Sequence, residues 1–352
     1  MAYTNDKVWP ATSRNMVDII NRALRILGEF DEGDAASTLE NTGARLALNS
    51  LIRQIVVTDG VGLWLRRRCI LILNRGLQRY KLGPTGTPGT VDDFHFFFDT
   101  ELIENTISAD EAAAQTTLSI LDANWVDYAG NTVAHTVVAN SDVIGIRQDD
   151  LTIHWTTVAT APAGTDSLII TAGLASAASA GAKVYTYTTR APRPHGVVYA
   201  YRETTSGNAS ETELIGRREF ERLSLKSSSG VPVKIHFDPT LHETTSASNF
   251  STLHVWPVKN PKSYDKMVMV CEFYPDILTD PEDTADEVQF PDEWVSCLSW
   301  MLADELSLEY EVGIRTALMI QQRAKEKYEN LAFSADREEA SLVISRETYG
   351  RL

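Results

Sequence analysis

The sequence of 352 residues has little cysteine and no long apolar run. Cys69, Cys271 and Cys297 lie far apart and form no CxxC pair, which argues against a zinc knuckle or a disulfide framework. We expect three reduced, buried thiols, the usual state of free cysteine. No apolar run approaches the ~18 residues of a membrane-spanning helix. The opening MAYTNDKVWPATSRN has no apolar stretch, so we expect no signal peptide.

Basic charge is also scarce. Lysine and arginine total 32 against 48 aspartate and glutamate residues, a net charge of -16. A protein that wraps the outside of nucleic acid needs a basic footprint, so this class is disfavoured. An acidic wall that nucleic acid passes without sticking remains compatible with the charge.

The common catalytic and cofactor motifs are missing. The segment GPTGTPGT, residues 83–90, has the glycines of a phosphate-binding loop but no lysine. Its prolines also stand where backbone N–H donors are needed. There is no dinucleotide fingerprint, GxSxG or HExxH, and the seven histidines are scattered. Metal sites have strict ligand spacing, so we predict structural histidines, no metal and no cofactor.

Helical periodicity predicts two helices near the N-terminus. The first begins near Thr12 or Ser13 and ends at Gly28, which suits a left-handed cap. The second is capped by Asp34 or Ser37 and stops at residues 58–60, a turn signal. The apolar face of the first is Met16, Val17, Ile20, Leu24 and Leu27. That of the second is Ala44, Leu48, Leu51, Ile52 and Ile55.

Two further helices are predicted near the C-terminus. One runs from Phe290 to Tyr310 with Pro291 in its first turn, a favoured proline position. The other runs from about Ile314 to Leu331. The apolar stripe of the first is Val295, Leu298, Leu302, Leu306 and Tyr310. One side of the second carries Leu318, Gln321, Lys325 and Tyr328.

Short β-prone runs fill the middle of the chain. RCILIL and LQRYKL flank residues 74–76 and predict a β-hairpin. Between two linkers, residues 83–90 and 190–196, about a hundred residues alternate β-prone runs with turn residues. We therefore predict an α+β fold: an α-helical bundle of two N-terminal and two C-terminal helices, a small antiparallel β-region and an inserted all-β domain. The predicted boundaries are 1–12 for an N-terminal arm, 13–84 with 196–332 for the core, 85–195 for the insert and 333–352 for a C-terminal arm.

The acids of the Phe290–Tyr310 helix raise the question of an active site. Glu305 and Glu309 are four residues apart and share a helix face. Carboxylate-pair catalysis needs two acids about 5 to 10 Å apart with one desolvated. The apolar stripe turns these acids outward, so a solvated or subunit-facing role is the favoured interpretation. The candidate channel-facing or subunit-facing acids are Asp304, Glu305, Glu309 and Glu311.

Arg66, Arg67 and Arg68 form the densest basic cluster in the sequence. The alternatives are a solvated strand start and a contact with a phosphate or an acidic partner.

Several segments in a fixed order resemble one protein family. VDIINRALRILGEF and the following helix and hairpin resemble the entry of the head-to-tail adaptor proteins of short-tailed bacteriophages. Later come a short helix with Phe220, a turn from Lys226 to Pro232 with one extra residue, Trp256-Pro257, and the helix that opens at Pro291 with Trp294. The resemblance covers about residues 13–82 and 196–335, and the β-rich insert departs from it.

The resemblance implies a non-enzymatic virion protein at the head-tail junction, assembled in the host cytoplasm. Such adaptors form a ring, typically dodecameric, under the portal protein, extend the DNA channel and retain packaged DNA. The implied partners are the portal, other tail proteins such as nozzle, fibres or tailspikes, and double-stranded DNA that passes without sequence-specific binding; no membrane is involved. A C-terminal arm would contact the portal through Arg337, Arg346, Tyr349 and Arg351, since arginine and tyrosine dominate interface hot spots.

Three alternatives remain open. The chain could be a tail-tube or nozzle protein if its β-domain makes the ring contacts. It could be a virion-associated cell-wall lytic enzyme that uses the helix acids. The insert could bind glycan or a fibre through an aromatic platform of Trp125, Trp155, Tyr185 and Tyr187, although core packing is the more usual role of such rings.

Overall fold

The computed structural model describes residues 15–28, 37–58, 63–84, 94–164, 166–204, 208–239, 250–259, 264–278, 287–310 and 312–347. The chain forms two compact units. One, called the helical unit below, comprises Met1–Leu65 with Tyr274–Leu352. The other, called the sheet unit, comprises Arg66–Phe273. The domain boundaries at 84/85 and 195/196 stay a prediction.

The described helices, in chain order, are α1 (Met16–Leu27), α2 (Thr38–Thr58), α3 (Arg217–Glu221), α4 (Asp292–Leu306) and α5 (Ile314–Glu347). Asn15 caps α1, because its side chain accepts a hydrogen bond from the backbone N–H of Val17 at 2.7 Å. The predicted caps Thr12 and Ser13 lie outside the described residues. Gly28 ends α1 with φ +86°, as predicted. Ser37 and Glu40 form a capping box at the start of α2, which confirms Ser37 as its cap.

Helices α1, α2, α4 and α5 share one hydrophobic cluster in the helical unit. The predicted stripe of α4 is confirmed in its buried residues Val295, Leu298, Leu302 and Leu306. On α5 the structure buries Ile320 and Ala324, whereas Leu318 is 59% exposed.

The sheet unit contains seventeen strands among the described residues. They are β1 (Arg66–Ile72), β2 (Arg79–Leu82), β3 (Phe96–Phe98), β4 (Ile103–Thr106), β5 (Thr117–Ser119), β6 (Val126–Asp127), β7 (Val143–Arg147), β8 (Ile153–Thr160), β9 (Ser167–Ile170), β10 (Lys183–Tyr187), β11 (Pro194–Thr204), β12 (Ala209–Leu214), β13 (Ser229–Gly230), β14 (Lys234–Asp238), β15 (Ser251–Trp256), β16 (Val258–Lys259) and β17 (Tyr264–Phe273).

Eight of these strands form one mixed sheet in the order β2-β15-β14-β12-β11-β17-β1-β3. The pair β12–β14 is parallel, and the other pairs are antiparallel. The predicted hairpin is wrong, because β1 pairs with β17 and β3 while β2 pairs with β15. In a flat sheet six strand spacings would separate β2 from β1 by about 29 Å. Their short connection reaches at most about 25 Å, so the sheet must curve strongly.

Both faces of β1 are buried from Cys69 to Ile72. Cys69 and Leu71 join one cluster, formed largely by inward-facing residues of the eight-stranded sheet. Ile70 and Ile72 join another, which includes residues of the seven-stranded sheet. Successive residues of a strand point to opposite faces, so β1 is the layer through which the two sheets pack.

The seven-stranded sheet has the order β5-β9-β8-β7-β10-β4-β6 and is built from the middle of the chain. Trp125 is fully buried in its own core cluster. Gly145 lies opposite Trp155 on the neighbouring strand. A Cβ atom at Gly145 would come within 2.5 Å of the Trp155 ring, so this position requires glycine.

The predicted fold class is wrong. The four predicted helices are present among the described residues and pack together, but the chain is dominated by two large sheets rather than by a helical bundle. The "small antiparallel β-region" is an eight-stranded mixed sheet, and one of its edge strands, β3, comes from the predicted insert. The strands that build this sheet are distant in sequence, and local periodicity carries no information about such pairings.

Candidate functional site

The arginine cluster lies along β1 and has partners within the sheet unit. Arg66 forms a salt bridge with Glu272 at 2.8 Å. The guanidinium of Arg67 lies 3.6 Å from the centroid of the Phe98 ring, and Arg68 lies 3.5 Å from a carboxylate oxygen of Asp99. Arg67 and Arg68 remain exposed to solvent. Their predicted contact with a further partner stays a prediction.

The acids of α4 and the segment after it occupy different environments. Asp304 is half-buried, whereas Glu305 and Glu309 are exposed. Burial, together with the nearby charge of Glu305, raises the pKa of Asp304. Glu311 lies outside the described residues. Desolvation therefore acts on Asp304, not on the Glu305 and Glu309 pair singled out by their spacing.

The predicted portal-binding arm begins inside a helix. α5 continues to Glu347, so Arg337 and Arg346 are part of its backbone path. Their side chains, and all of Tyr349 and Arg351, lie outside the described residues. The portal contact stays a prediction.

Large apolar side chains are exposed on two helices of the helical unit. On α2, Leu39 is 83% and Leu46 is 59% exposed, and their spacing of seven places them on one helix face. On α5, Ile314 is 82% and Leu318 is 59% exposed, and these are also on one face. Exposed apolar patches mark interaction surfaces. We call these surfaces the α2 patch and the α5 patch.

Sequence reasoning missed both patches. The seven-residue spacing of Leu39 and Leu46, outside the predicted core face of α2, was the available signal. On α5 Leu318 was placed on one side of the helix with Gln321, Lys325 and Tyr328, and no exposed apolar surface was predicted there.

The aromatic platform proposed for the insert is not on the surface. Trp125, Trp155, Tyr185 and Tyr187 are each at most 7% exposed. Trp155 stacks on His95 with ring centroids 3.4 Å apart. The hydroxyl of Tyr187 lies 2.7 Å from Nδ1 of the same histidine. The aromatic-platform hypothesis is wrong, and these rings are core residues.

A buried ionic cluster joins the two sheets of the sheet unit. The Lys266 ammonium group on β17 lies 2.7 Å from Glu104 on β4 and 3.2 Å from Glu203 on β11. Tyr128 donates a hydrogen bond to Glu203 at 3.0 Å, and its hydroxyl lies 3.1 Å from that of Tyr201. We call Lys266, Glu104, Glu203, Tyr128 and Tyr201 the inter-sheet cluster.

Two opposing effects set the protonation of the inter-sheet cluster. Burial alone would lower the pKa of Lys266, but the charges and hydrogen bonds of Glu104 and Glu203 outweigh it and raise the pKa. Burial, Tyr201 and Glu203 raise the pKa of Tyr128. The lysine therefore stays charged and the tyrosine neutral at neutral pH, an arrangement that suits a structural joint better than a general base.

The described part of the chain offers neither a metal site nor a helix that could span a membrane. Within it, no group of three or more histidine, cysteine, aspartate or glutamate side chains is arranged to hold a metal ion. None of the helices there combines the length and the apolarity needed to cross a bilayer.

Comparison with known proteins adds no assignment. No protein-family model matches the chain. A search of curated proteins found no match either.

Proposed function

We propose that this chain is a structural virion subunit, a head-to-tail adaptor that forms a ring under the portal protein of a short-tailed bacteriophage. The ring would extend the DNA channel, help retain packaged DNA and offer a surface for tail attachment. The ordered motifs from Phe220 to Trp294 support the proposal at the level of resemblance.

The structural observation that carries the proposal is the pair of apolar patches on α2 and α5. A ring forms through heterologous contacts, in which two different surfaces of one subunit meet neighbouring copies. The helical unit exposes apolar side chains on two separate helices, and we assign the two ring contacts to them. Each is small, which fits a subunit that remains monomeric until the portal templates the ring.

The acidic composition fits the proposed role of the ring as a channel for DNA. A net charge of -16 per copy gives a ring a strongly negative potential. Packaged DNA would slide past such a wall instead of binding to it. Glu305 and Glu309 are exposed on the helical unit and are candidates for that wall.

Native mass spectrometry of the chain, alone and mixed with its cognate portal ring, tests the proposal. We expect the chain alone to be a monomer. In the mixture, the mass of the portal should increase by about twelve times 39.0 kDa. Leu318→Asp should abolish this increase in mass, because burying a charge in an apolar interface costs several kcal/mol of desolvation. The matched control is Ile169→Asp, which changes an exposed apolar residue of the sheet unit and should leave the increase in mass unchanged.

A tail-tube or nozzle role is the second candidate. The size of the two sheets is the observation that favours it. A ring that is stable without the portal and insensitive to Leu318→Asp would indicate that role. A chain that stays monomeric and does not bind the portal would contradict the adaptor proposal.

A further inference from the structure

Three polar side chains form a row across the outer face of the eight-stranded sheet. Arg79 on β2 is the direct cross-strand neighbour of His254 on β15, and His254 is the neighbour of His236 on β14. The residues next to them along the strands, Tyr80, Leu253 and Ile235, point to the other face and are fully buried. The row therefore lies on the face opposite that core.

The helix α3 covers this row. Phe220 is 5% exposed, and its ring centroid lies 5.5 Å from that of His236 and 5.0 Å from that of His254. The two imidazole rings are themselves 5.9 Å apart. Between helix and sheet lies a pocket of about 240 Å³, whose walls also include Arg217, Glu221 and Asp238.

The hydrogen bonds around the pocket decide which groups face a ligand. Nδ1 of His236 lies 3.2 Å from the carbonyl oxygen of Ile215 and must donate to it. The second proton of this imidazole can therefore be taken up at Nε2. Glu221 is held by a salt bridge to Lys226. Among the residues that the structure describes, Arg217 makes no hydrogen bond and no close ion pair.

We propose that this pocket binds an oxyanion of the phosphate and sulfate class. The Arg217 guanidinium supplies planar N–H donors that match the geometry of such an anion. His236 and His254 add N–H donors when they are protonated. Asp238 lies in the same wall and opposes the anion, so its charge sets an upper limit on the affinity.

Binding should be coupled to proton uptake. In the empty pocket, burial, the neighbouring His236 and Arg79 lower the pKa of His254, while Asp238 and Glu221 act in the opposite direction. A bound anion favours the charged imidazolium of His254 and so opposes this lowering of its pKa. The affinity should therefore increase as the pH falls through about 6.5 and below, and it should be weak at higher pH.

Sulfate titrated into the full chain by isothermal calorimetry, at fixed ionic strength, tests the proposal. Sulfate keeps its charge over this range, so any pH dependence belongs to the protein. We expect affinity at least about tenfold higher near pH 5.5 than near pH 8. Arg217→Gln should weaken binding by about tenfold or more, the size of one lost charged hydrogen-bonding group. Asp238→Asn should strengthen it.

The matched control is Arg218→Gln, which removes an equally exposed arginine from the next position of α3. Arg218 is not part of the pocket wall, so this variant should bind within about twofold of the wild type, the scale of a screened surface charge. Both variants change exposed side chains, and their melting temperatures verify that they fold.

Equal losses in Arg217→Gln and Arg218→Gln would show general charge attraction and overturn the proposal. So would pH-independent binding, or no sulfate binding near pH 5.5. If sulfate does bind as expected, a short DNA duplex added as competitor distinguishes the sources of the anion. Displacement of sulfate would indicate a phosphodiester backbone, and no displacement a free anion. The pocket belongs to the sheet unit, so its test does not depend on ring formation through the α2 and α5 patches.

Discussion

Removing the positive charge of Lys266 should weaken the packing between the two sheets of the sheet unit. The Lys266 side chain is 9% exposed, and its carboxylate partners Glu104 and Glu203 are 12% and 14% exposed. Lys266→Met keeps most of the side-chain volume but leaves two buried carboxylates facing each other. Lys183 is 3.9 Å from Glu104 and would compensate only part of this charge.

The expected loss is large because the pair is buried. Breaking a buried ion pair on one side costs about 3 to 5 kcal/mol of unfolding free energy. Replacing both carboxylates with neutral side chains as well leaves no uncompensated buried charge, and glutamine keeps the volume of glutamate. The variant Lys266→Met with Glu104→Gln and Glu203→Gln should therefore recover most of the stability lost by Lys266→Met.

The pH dependence has a definite sign. Lys266 has a raised pKa in the folded state, so its contribution is fully present below the unfolded value of about 10.4 and is lost as the pH rises through the folded value. In Lys266→Met the two buried carboxylates have lost their positive partner, so their negative charges destabilise the fold until acid neutralises them. The difference in unfolding free energy between the wild type and Lys266→Met should therefore decrease as the pH falls from 7 toward 4.

Hydrogen exchange measured by mass spectrometry is the suitable assay, because a chain with two compact units need not unfold in one step. Peptides that contain β4 and β17 should lose protection in Lys266→Met, while those of α1 and α4 should not. Unchanged protection in β4, or a triple variant no better than Lys266→Met, would refute the view that this cluster joins the sheets.

Three further predictions concern single positions. Gly145→Ala should lower the unfolding free energy by about 1 to 3 kcal/mol, because the new Cβ overlaps the Trp155 ring; thermal unfolding with Gly216→Ala, at a position with negative φ and open space, as control measures it. Asp304→Asn should raise the unfolding free energy at neutral pH by less than about 1 kcal/mol. The raised pKa of Asp304 means that its ionisation opposes folding, so this gain should vanish below about pH 3.9 in urea titrations. The wild-type chain should leave a suspension of isolated cell wall turbid; clearing that Glu305→Gln abolishes would instead indicate the lytic alternative.

Local features of the helical unit were readable from the sequence because each depends on residues close together in the chain. The Gly28 end of α1, the Ser37 cap of α2 and the buried stripe of α4 are of this kind. No buried side could be predicted for α5, because apolar and small residues lie on both of its sides. Only contact with other helices decides that Ile320 faces the core and Leu318 does not.

The sheets were underestimated for a different reason. RCILIL and LQRYKL look like two arms of a hairpin, and they do flank a turn with Gly76 at φ +76°. Their pairing partners, however, are β17 and β15, almost two hundred residues further along. A strand reveals its own periodicity but not its neighbour, so the sequence could suggest strands and could not arrange them.

The same limitation explains which sites could be foreseen. Arginine and carboxylate clusters such as Arg66–Arg68 and the α4 acids attract notice because their members adjoin in sequence. The inter-sheet cluster brings together Glu104, Glu203 and Lys266 from three distant strands. The pocket beside His236 and His254 is formed by β2, β14, β15 and α3 together. Charge that is adjacent in sequence is usually solvated and contributes little, whereas charge assembled by the fold is desolvated and matters more. In this chain the strongest electrostatic effects should therefore arise where sequence inspection gave no signal, and substitutions at Lys266 should affect stability far more than substitutions at Arg67.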